Sequence, residues 1–188
     1  TSVAVLLTDG AGAQTSTTQL SLASSLPNLI PPSSALTVRG APQTVALLGG
    51  LSATTDADTL AFSALAIPIP AGATITINAV GTGTCSLTGS YISTGGASAS
   101  AVTVDISTAC GNAVTADACQ ITYLAPCDMA PTALTAGSTG ASVGDVVVNL
   151  ATALTTSVTV ATDRCQISYS GPLSGGFYLS MDYEGDMN

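Results

Sequence analysis

The stretch VTADACQITYLAP at residues 114–126 returns as VATDRCQISYSGP at residues 160–172, with Val, Asp, Cys, Gln, Ile, Tyr and Pro recurring in register. Successive side chains of a strand point to opposite faces, so Cys119, Ile121 and Tyr123 share one face, as do Cys165, Ile167 and Tyr169. Each copy therefore reads as a core strand, entered through an Asp-containing turn and closed by a proline that cannot donate to a ladder. The unit holds no acid, base and nucleophile set against one another. Its repetition points to architecture before chemistry.

Outward from the repeat, the chain reads as strand and turn. ATITINAV, residues 73–80, places Ile75 and Ile77 on one face and Thr74, Thr76 and Asn78 on the other. Residues 85–110 read as a hairpin whose register brings Cys85 opposite Cys110, and a disulfide between them is expected. Cys119, Cys127 and Cys165 remain without an assigned partner. GDVVVNLATAL, residues 144–154, and SVTVAT, residues 157–162, form a further expected hairpin, with Val146, Val148 and Leu150 on one side. A short helical turn is expected only in TTQLSLASSLPNLIPP, before its proline pair. Short strands at this spacing, punctuated by glycine, predict an all-β chain, a β-sandwich or jelly roll.

Composition narrows function by exclusion. Of 188 residues 7% are charged, and there are two cations, Arg39 and Arg164, against eleven acids, for a net charge of −9. No basic patch exists to neutralise phosphates, so nucleic acid and anionic membrane surfaces are not expected partners. Histidine and lysine are absent, which removes Ser-His-Asp, Cys-His and Ser-Lys catalysis. An enzyme is not expected, nor is a cofactor. Without histidine a zinc site would need four cysteines, and no CxxC occurs among the five, so disulfides and an oxidising compartment are the expectation. A chain starting at Thr1 is expected to be secreted with its signal removed, extracellular or at the cell surface. No apolar run reaches the ~18 residues of a membrane span.

Three further sets of residues have chemistry to offer. Asp182, Glu184 and Asp186 alternate near the C-terminus as oxygen ligands of a hard cation would, but the spacing departs from an EF-hand and a solvated acidic end is expected. Thr74 with Thr76, and Thr82 with Thr84, form short ladders of the ice-binding kind, which an exposed strand face also favours. Tyr91, Tyr123, Tyr169, Tyr178 and Tyr183 could stack on sugars.

The N-terminus differs from the rest. Val3, Ala4, Val5, Leu6 and Leu7 form an apolar run followed by a Gly-Ala-Gly-Ala-Gln linker, and such a run must be buried against something. The expected layout is a strand and linker over residues 1–14, a candidate donor strand, and one β-sandwich over residues 15–188. In layout the chain resembles strand-exchanging β-sandwich subunits of extracellular filaments and pili, without the long apolar helix of type IV pilins. The resemblance implies a homopolymer in which Val3, Val5 and Leu7 insert into a neighbour's sheet, with Ala4 and Leu6 on the other face. A secreted or virion-surface glycan-binding module, attaching to a host surface or glycan, is the alternative.

Overall fold

The computed structural model describes residues 2–8, 16–48, 58–82, 85, 88–108, 119–127, 132–154 and 165–171. Among them there is no helix, and the strands form antiparallel sheets consistent with a β-sandwich. In chain order the strands are β1 (Ser2–Leu6), β2 (Gln19–Ser21), β3 (Ala35–Gly40), β4 (Pro42–Ala46), β5 (Thr59–Ala61) and β6 (Thr74–Ala79). They continue with β7 (Gly89–Ile92), β8 (Thr103–Asp105), β9 (Cys119–Leu124), β10 (Thr132–Thr135), β11 (Val147–Asn149) and β12 (Cys165–Ser170).

The sheets sort into two lobes of one topology. One lobe has a sheet ordered β1-β12-β3-β10 facing the pair β11-β2, and the other has β4-β9-β6-β7 facing β5-β8. Counting within a lobe, each large sheet runs first strand, last, third, fourth, and each small one pairs second with fifth. The second lobe, β4–β9, is therefore inserted whole between the third and fourth strands of the first. Where one sandwich is expected over residues 15–188, the described strands form two nested ones, and Ser2–Leu6, within the candidate donor strand and linker of residues 1–14, pairs with β12 of the first.

Two separate cores confirm the division. Val5, Leu7, Leu20, Leu22, Leu26, Ile30, Leu36, Val38, Val148, Ile167 and Tyr169 belong to one. Leu47, Leu60, Phe62, Leu65, Ile69, Ile75, Ile77, Val104, Ile121 and Tyr123 belong to the other. The repeated stretch supplies the last strand of each lobe, β9 and β12, which runs between two neighbours and buries Cys, Ile and Tyr inward. Burying isoleucines such as Ile121 and Ile167 completely contributes about 1.5–3 kcal/mol each.

Single bridges close the sheets at matching places: Leu7 to Leu22 and Leu47 to Phe62, Ile30 to Ala141 and Ile69 to Ala97, Ala136 to Leu150 and Ser93 to Ile106. Even the turn chemistry recurs. Gly140 (φ +64°) and Gly96 (φ +69°) are left-handed, and a Cβ on either would run into the carbonyl oxygen of Ile30 or Ile69.

Two expectations change here. Residues 19–30 hold a strand and bends instead of a helical turn, because Leu20, Leu22, Leu26 and Ile30 all reach one core and Ile30 exchanges backbone hydrogen bonds with Ala141. Residues 85–110 are not a simple hairpin. β7 pairs with β6 and β8 with β5, so the chain crosses from one sheet to the other, and among the described residues the two segments are bridged only between Ser93 and Ile106.

Candidate functional site

That crossing decides the cysteines. Cys85 lies ahead of β7 and bonds Cys119 at the start of β9, with Cα atoms 5.1 Å apart. The expected Cys85–Cys110 pair is therefore corrected, since its hairpin register does not exist, and Cys110 itself lies outside the described residues. Cys127 lies ahead of β10 and bonds Cys165 at the start of β12, with Cα atoms 5.3 Å apart. The bridges occupy one position in the two lobes: each ties the approach to the fourth strand to the beginning of the last. They fit an oxidising environment.

The tyrosines of the repeat act as internal pegs. Tyr123, 2% exposed, donates its hydroxyl to the Ile67 carbonyl at 2.6 Å, and Tyr169 donates to the Asn28 carbonyl at 3.0 Å. Ile67 and Asn28 each stand two residues before the bridged Ile69 and Ile30, so the bonds are counterparts. Burial pushes the Tyr169 hydroxyl above the ordinary tyrosine pKa of 10.0, partly offset by its bond to Asn28. Neither ring is a platform for a sugar, and Tyr91 packs in part against the second core.

The apolar N-terminal run has a defined place. β1 pairs antiparallel with β12 from Ser2↔Ser170 to Leu6↔Gln166, at the edge of its sheet. Val5 and Leu7 enter the first core, Val3 packs against it, and Leu6 is 43% exposed on the other face beside an exposed Ala4. The linker, the Asp182, Glu184 and Asp186 cluster, Arg164, Tyr178 and Tyr183 lie outside the described residues. Among the described residues no three His, Cys, Asp or Glu side chains gather to hold a metal, and no helix is long and apolar enough to cross a membrane. The threonine ladder extends across the second lobe: Thr44, Thr122, Thr76 and Ser90 lie side by side on adjacent strands, with the last two hydroxyls 3.4 Å apart.

The lobe junction was not anticipated from the sequence. Only Ala41 separates β3 from β4, and the chain returns through Ala125, whose N–H donates to the Ala41 carbonyl at 2.9 Å. The two crossings press together at Gly40, where a methyl group would overlap the Ala125 carbonyl oxygen. Beside them opens a cleft of about 710 Å3, walled by Arg39 from the first lobe, by Pro70 to Thr74 from the second, and by the returning chain from Leu124 to Cys127. No family model, curated protein or solved structure matches the chain.

Proposed function

We propose that the protein is a structural subunit of an extracellular filament, pilus or surface assembly, joined to its neighbours by exchange of β1. The observation that carries this reading is the seat of β1: an edge strand with alternate side chains in a core, held by main-chain pairing to β12 alone within its sheet. The same hydrogen bonds and the same burial of Val5 and Leu7 form whether the strand comes from its own chain or from another copy, which is the energetic basis of strand exchange. The tether then decides between the two, and its sequence, Gly-Ala-Gly-Ala-Gln, is of the small-residue kind used in linkers. The equivalent strand of the second lobe lacks that freedom. β4 follows β3 after one residue and is fixed to it.

Composition and disulfides support the extracellular part of the reading. A surface of small hydroxyl residues with two cations offers few sites to proteases that cut at Lys or Arg, and each lobe carries its own staple. Two tyrosines of the repeat are internal pegs, which favours a structural role over glycan stacking.

The test uses the full chain, a variant lacking residues 1–9, and a synthetic peptide of those residues. Electron microscopy should show assemblies of the full chain. The truncated chain should remain monomeric, keep its second lobe folded, and bind the peptide. A full chain that stays monomeric at high concentration, with a truncated form that binds no peptide, overturns the reading; a monomer that binds glycans would replace it with an attachment module.

A further inference from the structure

We propose that the cleft between the lobes binds a carboxylate group carried on a short aliphatic body. The inference does not depend on strand exchange. Arg39 is the one cation among the described residues of a chain with net charge −9, and this exposed residue lines the cleft with a side chain that makes no ion pair or hydrogen bond among the described residues. On the second lobe the exposed Thr74 lines the same cleft, and its hydroxyl makes no hydrogen bond among the described residues. A forked guanidinium and a hydroxyl, brought from different lobes to one opening, are donors that a carboxylate's oxygens can accept from together.

The remaining lining sets the rest of the ligand. Pro70, Ala71, Ala73, Leu124 and Pro126 give an apolar wall, and among the described residues no aromatic ring or acid lines the cleft, so the lining favours an aliphatic body over a stacked sugar or a cation. The volume falls within the range of small-ligand pockets, which favour domain interfaces. A single arginine within a field of net negative charge suits a monoanion over a phosphate dianion. The frame is fixed in advance: Gly40 is pressed on Ala125, Ser93 Oγ donates to the Pro70 carbonyl at 2.6 Å, and the Ala73 N–H donates to that Oγ at 3.1 Å. Little ordering is left to oppose binding.

Such a carboxylate can come from a free aliphatic acid or from an Asp side chain of another copy. The experiment titrates the full chain, below its self-association concentration, with hexanoate, hexanol and inorganic phosphate. Resonances of the Arg39 Nε–H and of the Thr74 and Ala125 amides report binding. Hexanoate should give saturable shifts; Arg39→Gln should weaken it at least tenfold and Thr74→Val severalfold, with melting temperature unchanged because both side chains are exposed. Hexanol and phosphate should not saturate. Equal hexanoate binding by Arg39→Gln, equal binding of hexanol, or no saturable shift overturns the proposal. Sedimentation then separates the sources. If self-association falls both with Arg39→Gln and with saturating hexanoate, the carboxylate belongs to a neighbouring copy; if association is unchanged while hexanoate binds, it is a free acid. Arg39→Gln leaves β1 intact, so either result is distinct from the outcome of truncating residues 1–9.

Discussion

Replacing Tyr123 by Phe keeps the ring in the second core and removes one atom. That atom is the hydroxyl which donates at 2.6 Å to the Ile67 carbonyl in a buried setting, with the whole residue 2% exposed. Leaving a buried acceptor without its donor costs ~1–3 kcal/mol. Taking about 2 kcal/mol, and ~2–4 °C per kcal/mol for a chain of this length, Tyr123→Phe should lower the melting temperature by about 4–8 °C. Tyr169→Phe removes the counterpart bond, which is longer, at 3.0 Å, and only partly buried, so its carbonyl recovers some hydration. About 1 kcal/mol, or about 2–4 °C, is expected there. Calorimetry with urea unfolding as a cross-check reads both.

The comparison between the two variants is the sharper part. The lobes have separate cores, so the double variant should lose the sum of the two single effects to within ~0.5 kcal/mol. If the lobes melt in two steps, each substitution should move only one step. A Tyr123→Phe protein as stable as the parent, or one harmed less than Tyr169→Phe, would refute the view that the repeated tyrosine is a structural peg. A variant that kept its stability but lost binding to another molecule would assign the tyrosine to a ligand.

Each disulfide closes a separation of 34 or 38 residues, for which chain entropy gives about 4 kcal/mol, so Cys119→Ala and Cys165→Ala should each cost about that much in urea unfolding, and reduction, which opens both bonds, about twice as much. Non-reducing peptide maps should link Cys85 to Cys119 and Cys127 to Cys165; a Cys85–Cys110 peptide would contradict the topology. Gly40→Ala should destabilise by about 2 kcal/mol or more, because its methyl group meets backbone that cannot rotate away, whereas substitution at the exposed Thr37 nearby should be nearly neutral in the same melting assay. Tyr169 is raised in the folded state, so folded and unfolded chains bind its proton alike below pH ~10, and above it the unfolded chain loses the proton first. Stability should therefore fall as pH rises through that value, and Tyr169→Phe should remove this part of the alkaline loss in pH-dependent melts.

What the sequence disclosed follows from one physical rule, the alternation of side chains on a half-buried strand. It places Ile75 and Ile77, Cys119, Ile121 and Tyr123, and Cys165, Ile167 and Tyr169 on inward faces, as the structure does. The rule is silent on which strands pair. Segments adjacent in sequence read as a hairpin, but the chain between β7 and β8 changes sheets, so the cysteine register inferred from residues 85–110 had no ladder beneath it. A second repeat was present but weaker: LSLASSLPNLIPPSSALTV and LAFSALAIPIPAGATITI, at residues 20–38 and 60–77, keep their apolar positions while the rest drifts. Seen with the Cys-Gln-Ile pair it would have disclosed two lobes. The cleft was out of reach because Arg39 and Thr74 are brought together only by the insertion.

The insertion itself has a simple cause. A lobe can be spliced into a loop only if its own ends lie side by side, and pairing the first strand with the last guarantees this. Pro42 lies opposite Leu124 at the entry to the second lobe, and Ser2 lies opposite Ser170 in the first. The receiving loop must also tolerate two strands leaving together, and the crossing from third to fourth strand is suited to that, since β3 and β10 are already neighbours and the Cys127–Cys165 bond reties the sheet just after the chain returns. Its counterpart, the Cys85–Cys119 bond, stands at the same crossing of the second lobe, which carries a short connection between β6 and β7 where the first lobe carries residues 41–131. Two antiparallel crossings joined by the Ala125 to Ala41 hydrogen bond resist bending between lobes better than one flexible linker would. The same pairing that makes the lobes nest therefore also stiffens the molecule along the line joining them, the property that the proposed role as a surface subunit needs.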